Sequence, residues 1–493
     1  MAQGIILQYF HWYLPNDGNL WKQIKEEAPR LRELGFSTIW FPPAFKGTSG
    51  GFSTGYDPYD LYDLGEFDQK GSVRTKYGTR QEYIDAVKVV QETGMRAIVD
   101  LVLNHKAGGD EIEKVRAVKV DPNNRNKVIS APFEIEAFTK FTFPGRQKKY
   151  SDFEWNYMCF TGVDYAYDRS ENAIFRLLNG YGDSWEDMIS DEKGNYDYLM
   201  YNDVEFRNPS VREELQRWGK WYWDQVHFDG VRLDAVKHIT PSFYAEWLPK
   251  LRDSTGKDIF AVGEYWAPGL LNLLLEYIKA TNGEMSLFDS SLQQNFHEAS
   301  KSGNGYDMRN IFQETLVNAM PEKAVTVVAN HDTQPLQSLE APVENWFKTI
   351  AYALILLRDT GYPSVFYPDL YGAHYKDKGQ DGKEYEIWLA QVDGLENLLK
   401  ARNLHAYGIQ RDYIDHPNCI GWTREGDDEH SGCAVVLSNG DNGNKNMEIG
   451  KRYAGKKFID MMGKNPAEVE INNDGWGNFF APAGSVSVWI EKD

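Results

Sequence analysis

Short apolar runs alternate along this chain with stretches whose apolar residues recur at helical spacing. That rhythm leaves few folds open. Residues 4–10 are apolar and predict a strand. Residues 20–34 carry a helical pattern that stops at Gly35, a residue suited to the left-handed position after a helix. Residues 37–41 predict a second strand, ended by Pro42 and Pro43. Thr79 and Glu82 have capping-box spacing, and the helix behind them runs to Gly94. Residues 95–103 are almost continuously apolar. Continuous rather than alternating hydrophobicity marks a parallel strand buried on both faces.

The rhythm breaks over residues 104–207, which are polar, aromatic and rich in Gly, Asn and Asp. A hundred such residues are too many for a loop and predict an inserted domain. Asn208-Pro209 restarts the pattern as an N-cap followed by proline at the first helical position. Strand patterns then recur at 230–236, 259–265, 285–288, 324–329 and 364–367, with helical patterns between them, the clearest at 344–359. Eight strand candidates separated by helices predict an α/β chain: a (β/α)8 TIM barrel with an irregular, β-rich insertion after strand 3. A doubly wound sheet is the alternative, but no Gly-x-Gly-x-x-Gly follows the first strand. Beyond residue 404 short β-like runs alternate with Gly, Asn and Asp turns, predicting a C-terminal all-β sandwich. The expected organisation is barrel 1–103, insertion 104–207, barrel 208–403 and β domain 404–493.

The formal charge is −20, which argues against nucleic acid or an anionic membrane as partner, since both are polyanions. Cys159, Cys419 and Cys433 can form no disulfide framework and lack metal-binding spacing, so they read as buried free thiols. The longest apolar stretch, 350–357, is far too short to span a membrane. The first residues carry neither a basic region nor a cleavage site. A cytoplasmic, monomeric protein is expected, the alternative being a secreted one whose signal was removed.

Catalytic groups of such a barrel sit at the C-terminal ends of its strands. Those ends carry Phe10-His11-Trp12; Asp100, Asn104 and His105; Arg232, Asp234, Lys237 and His238; Glu264-Tyr265-Trp266; and Asn330-His331-Asp332. Asp234, Glu264 and Asp332 interrupt apolar runs, where a carboxylate is costly unless paired or used. One buried acid is most simply a structural ion pair. Three at one barrel mouth point to chemistry. Two neighbouring carboxylates, one ionised and one protonated, are the minimum for retaining glycoside hydrolysis. Arg232 lies two residues before Asp234 on a strand, so both face one side, and a guanidinium there would keep Asp234 ionised. The aromatic surroundings of Glu264 would raise its pKa toward general-acid duty. His105 and His331 would donate to sugar hydroxyls.

The strings DLVLNH (100–105), GVRLDAVKH (230–238), GEYW (263–266) and VANHDTQ (328–334) resemble the four signature regions of the α-amylase family of glycoside hydrolases, in the family's order. The similarity runs along the chain, from QYFHWY near its start to GYPSVFYPDLYG. The resemblance implies endo-hydrolysis of α-1,4-glucosidic bonds in starch, glycogen or maltodextrins with retention. The alternative within the family is a maltooligosaccharide-specific hydrolase or a transglycosidase. A non-catalytic glucan-binding scaffold would be expected to lose at least one of the three acids.

By resemblance Asp234 is the nucleophile, Glu264 the general acid/base and Asp332 the third carboxylate. Tyr56, Asp100, His105, Arg232 and His331 would bind the −1 sugar, with Gln8, Trp12 and Tyr13 as further candidates. Lys237, His238 and Trp266 would lie on the acceptor side. The family holds a Ca²⁺ between barrel and insertion; here Asn104, Asp197, Asp203 and the backbone carbonyl of His238 match its ligands. Liquefying relatives add a second Ca²⁺ and a Na⁺. At the matching positions this chain has Thr161, Glu186, Glu205 and Arg207, so those additional ions are expected to be absent.

Overall fold

The computed structural model describes residues 4–492. Eight parallel strands close into a barrel: β1 (Ile6–Gln8), β2 (Thr38–Phe41), β3 (Arg96–Leu101), β4 (Gly230–Leu233), β5 (Phe260–Gly263), β6 (Ser286–Phe288), β7 (Ala324–Val327) and β8 (Tyr362–Phe366). β8 pairs with β1, so no edge is left open. The β4, β7 and β8 side chains are buried throughout, as continuous hydrophobicity requires of a sheet covered on both sides. Seven observed strands lie within their predicted runs, and β8 begins two residues before its own and ends one residue earlier.

The helices form where local signals ask for them. Thr79 and Glu82 close a reciprocal capping box at the start of the Arg80–Glu92 helix. The Asn208 side chain accepts from Ser210 N at 3.0 Å and caps the Pro209–Val226 helix. Between β3 and that helix lies the insertion, whose antiparallel strands include His105–Lys106, Glu111–Asp121, Phe160–Ala166, Glu171–Leu177 and Asn202–Val204. The pairing of Asn202–Val204 with His105–Lys106 brings the far end of the insertion back to the strand end it left.

The C-terminal strands, from Gln410–Tyr413 to Ser485–Glu491, form a six-stranded antiparallel sheet facing a two-stranded one. Trp422 donates its indole N–H to Leu357 O at 3.2 Å, tying this domain to the barrel. All three cysteines are buried and free. Among the described residues no helix is long and apolar enough to cross a membrane.

One element escapes sequence reading. After β8, strands β9 (Ala373–Lys378) and β10 (Glu384–Leu389) pair into an antiparallel ribbon outside the barrel. One face carries Tyr375, Tyr385, Ile387 and Leu389 and the other His374, Lys376, Glu384, Glu386 and Trp388. Glu384–Leu389 therefore does alternate at the period of a strand, but charged residues and the Gly-containing turn at 379–383 mask the segment as a loop.

Candidate active site

The barrel ladder continues one residue beyond β4 and β5. Asp234 N donates to Leu101 O at 2.9 Å, and Glu264 N donates to Leu233 O at 2.9 Å. Both carboxylates thus leave the sheet at fixed points. A side chain at Gly263 would place its Cβ 2.8 Å from Met285 Sδ, so glycine is what lets Glu264 sit there. Ala235 adopts a left-handed backbone (φ 50°), uncommon for a residue with a Cβ, and its N–H reaches Glu264 Oε2 at 3.1 Å.

Arg232 is the hub. Its guanidinium is 1% exposed. It donates to Asp100 Oδ1 at 2.9 Å, to Asp234 Oδ1 at 2.7 Å and to Glu264 Oε2 at 2.8 Å. Register explains this reach: Arg232 pairs with Asp100 on β3 and with Val262 on β5. Asp100 also accepts from Tyr56 OH at 2.8 Å and from Trp40 Nε1 at 3.0 Å. Trp40 was not anticipated; inside an apolar strand nothing marks its indole N–H as part of a polar network.

His331 stacks on Tyr56 with ring centroids 4.8 Å apart, and Trp12 stacks on Tyr56 at 5.7 Å. Gln8 Nε2 lies 3.1 Å from His331 Nδ1, and His331 Nε2 lies 3.2 Å from Asp332 Oδ2. His105 Nε2 meets Tyr56 O at 2.9 Å. Tyr56, Asp100, His105, Arg232, Asp234, Glu264, His331 and Asp332 therefore form one connected cluster.

Burial sets its protonation. It pushes Glu264 up to about 8, Asp332 to about 7 and Asp100 to about 6, with Arg232 opposing each shift. Burial also lowers the pKa of His105 and His331, which keeps both rings neutral near pH 7.

Lys237, His238 and Trp266 form a second group against the insertion. Lys237 pairs with Glu192 and lies 3.4 Å from Trp266 O. His238, neutral through burial, donates from Nδ1 to Tyr196 O at 2.6 Å.

A third group sits where insertion meets barrel. Asn104 Nδ2 donates to Asp203 Oδ1 at 3.2 Å, while Asn104 Oδ1 is buried with no hydrogen-bond partner. Burial raises the pKa of Asp197 to about 7 and of Asp203 well above the carboxylate range, each aided by neighbouring acids. An orphaned amide oxygen beside two buried carboxylates is a site short of positive charge. Its donors are the hard oxygens calcium prefers. Among the described residues no group of three or more His, Cys, Asp and Glu could hold a metal, which is compatible with a site drawing two of its ligands from an amide and a backbone carbonyl.

At the neighbouring positions, Thr161 donates its hydroxyl to Asp203. Arg207 forks onto fully buried Glu205, with Nη2 to Oε2 at 2.6 Å and Nε to Oε1 at 2.7 Å. Glu186 Oε1 accepts from Phe206 N at 2.6 Å.

Comparison with known proteins places these features in context. Residues 15–403 match the family described as alpha amylase, catalytic domain, and residues 433–490 match alpha-amylase C-terminal. The chain is 48% identical over 494 residues to the cytoplasmic alpha-amylase of Escherichia coli (strain K12), covering all of both chains. It is 47% identical over 493 residues to a glucan 1,4-alpha-maltohexaosidase of Bacillus sp. (strain 707), covering 100% of this chain and 93% of that one. In fold it is similar to the crystal structure of CldA, a cyclomaltodextrin glucanotransferase with a three-domain ABC distribution. The TM-score is 0.65 at 18% identity, with 99% of each chain covered.

Proposed function

This chain belongs to the alpha-amylase family of glycoside hydrolases, and from that membership we propose an endo-acting, retaining α-1,4-glucan hydrolase with Asp234 as nucleophile and Glu264 as general acid/base. The observation that carries the reading is Arg232 bridging Asp234 and Glu264, with burial raising the pKa of Glu264. Asp234 Oδ1, charge-paired with the guanidinium, attacks the anomeric carbon. Glu264, protonated at neutral pH, gives its proton to the leaving glycosidic oxygen and later takes one from the water that resolves the glycosyl-enzyme. Asp332 and neutral His105 and His331 hold hydroxyls of the distorted −1 sugar. Tyr56 is the flat surface beneath it, fixed by Asp100. Lys237, His238 and Trp266 meet the acceptor sugar beside Glu192. The reading is tested by incubation with soluble amylose. New reducing ends should accompany a rapid fall in viscosity, because internal cuts shorten chains fastest. Release of reducing ends with viscosity nearly unchanged would contradict endo action. A single dominant product length would instead favour the maltooligosaccharide-specific alternative.

A pH dependence follows from Glu264. Its acid form is lost as pH rises through about 8, so kcat/KM should fall on the alkaline side with an apparent pKa between 7 and 8. A pH profile flat to pH 9 would contradict its role as acid.

Asn104, Asp197, Asp203 and the His238 carbonyl would hold one Ca²⁺, pinning the insertion against the barrel near Asp234. Its role would be structural, compensating the buried carboxylates. A chelator should lower the thermal midpoint, since an ion at a hundredfold excess over its Kd stabilises by about 2.7 kcal/mol. Asp203→Asn should abolish that response. Arg207 already supplies a positive charge beside Glu205, so metal analysis should give one calcium per chain; two or more would contradict this. With fewer ions bound only to the folded state, heat resistance should fall below that of relatives that hold several. The similarity to a relative named cytoplasmic supports placing this enzyme in the cytoplasm, where glycogen and maltodextrins are the available substrates.

A further inference from the structure

Trp388 is the most exposed tryptophan among the described residues, at 69%. It stands on β10 directly opposite His374 of β9, and the two rings stack face to face with centroids 3.6 Å apart and planes 13° from parallel. Glu386, on the same face, accepts from His374 Nε2 at 2.7 Å and pairs with Lys376 at 3.4 Å. The indole is thus held flat with one face backed by an imidazole and the other open.

The ribbon is tied to the catalytic mouth by its opposite face. Tyr375 stacks on Tyr13 at 3.9 Å, Asp377 accepts from Tyr13 OH at 2.9 Å, and Tyr375 OH donates to Pro335 O at 3.0 Å. Tyr13 follows Trp12, which stacks in line with His331 and Tyr56 and donates its backbone N–H to Gln334 Oε1 at 3.1 Å. The platform therefore stands on the segment after β8 and packs against the loops after β1 and β7, which carry Trp12 and His331 of the reaction centre.

We infer that the Trp388–His374 platform is an auxiliary binding site for a linear α-1,4-glucan chain at the rim of the catalytic mouth. The inference rests on the proposed α-glucan hydrolase reading. A large, rigid, exposed aromatic face matches the apolar C–H face of a pyranose ring. The charged ends of Lys376 and Glu386 beside it suit the ring's hydroxyls. A neutral polymer is also the occupant that the overall charge of −20 disfavours least; a second copy or a polyanion would be repelled. Chains long enough to lie across both the cleft and the ribbon gain this contact. Short oligosaccharides do not.

The test compares Trp388→Ala with the unaltered chain on glycogen and on maltopentaose. On glycogen, kcat/KM should fall about three- to tenfold, through KM, the range one aromatic stack supplies. On maltopentaose it should stay within about twofold. Retardation in native gels containing glycogen should weaken for Trp388→Ala and persist for Trp388→Phe. Equal losses on both substrates, or no loss on either, would overturn the platform. So would light scattering showing a dimer that Trp388→Ala dissociates, since the surface would then serve self-association. Failure of the unaltered chain to cleave either substrate would overturn the hydrolase reading, while gel retardation would still report on the platform.

Discussion

Asp234→Asn should lower kcat on soluble amylose by a factor on the order of 10⁴ or more while leaving the fold intact, because a carboxamide cannot attack the anomeric carbon. The exchange preserves shape, and Arg232 can still donate to the remaining oxygen. Two of its three carboxylate contacts, at Asp100 and Glu264, are untouched. Folding is checked by the thermal midpoint. Glucan binding is checked by gel retardation, which should survive because the neighbouring rings of Tyr56, Trp12 and His331 remain stacked. A loss below tenfold would reassign the nucleophile.

Arg232→Met should destabilise the folded chain by about 3–5 kcal/mol and also abolish activity, because it leaves buried carboxylates with no buried cation among them. Asp100 has no exposed surface, and Asp234 and Glu264 are less than a tenth exposed. The penalty should depend on pH with a definite sign. Asp100 and Glu264 have folded pKa values raised above those of the unfolded chain. Groups raised in this way favour the folded state below the unfolded value and lose that contribution as pH rises through the folded one. Removing the guanidinium raises them further. The variant should therefore lie closest to the unaltered chain near pH 4 and fall behind as pH climbs past 6 to 8. Denaturant midpoints measured across that range check this. A difference independent of pH would show that lost packing, rather than uncompensated charge, dominates.

The features of this molecule that were legible in sequence are those whose physics is local or periodic. The capping box at Thr79 and Glu82, the cap at Asn208-Pro209 and the doubly buried β3 each announce themselves within a few residues. Acids ending apolar runs pointed to Asp234, Glu264 and Asp332 because burial makes an unused carboxylate expensive. Spacing of two placed Arg232 and Asp234 on one face. It could not show that Arg232 also reaches Asp100 and Glu264, which depends on the strand register set when the barrel closes. Trp40 joined the network unannounced for the same reason. The proposed calcium ligands were legible only by family resemblance. Asn and Asp in Gly-rich segments are ordinary turn formers, and it is the orphaned Oδ1 of Asn104 in three dimensions that sets the site apart. The β9–β10 ribbon shows its apolar alternation only over Tyr385, Ile387 and Leu389, beside a charged, Gly-containing turn, and its most informative residue, Trp388, is conspicuous only through its exposure.

The most direct test of the central claim is proton NMR of the first products released from amylose, recorded before mutarotation, for the unaltered chain and for Asp234→Asn. Nucleophilic attack by Asp234 followed by water on the glycosyl-enzyme predicts new α-anomeric ends from the unaltered chain and essentially none from the variant. Fresh β-anomeric ends, or α-anomeric ends at an undiminished rate from Asp234→Asn, would contradict the double displacement through Asp234.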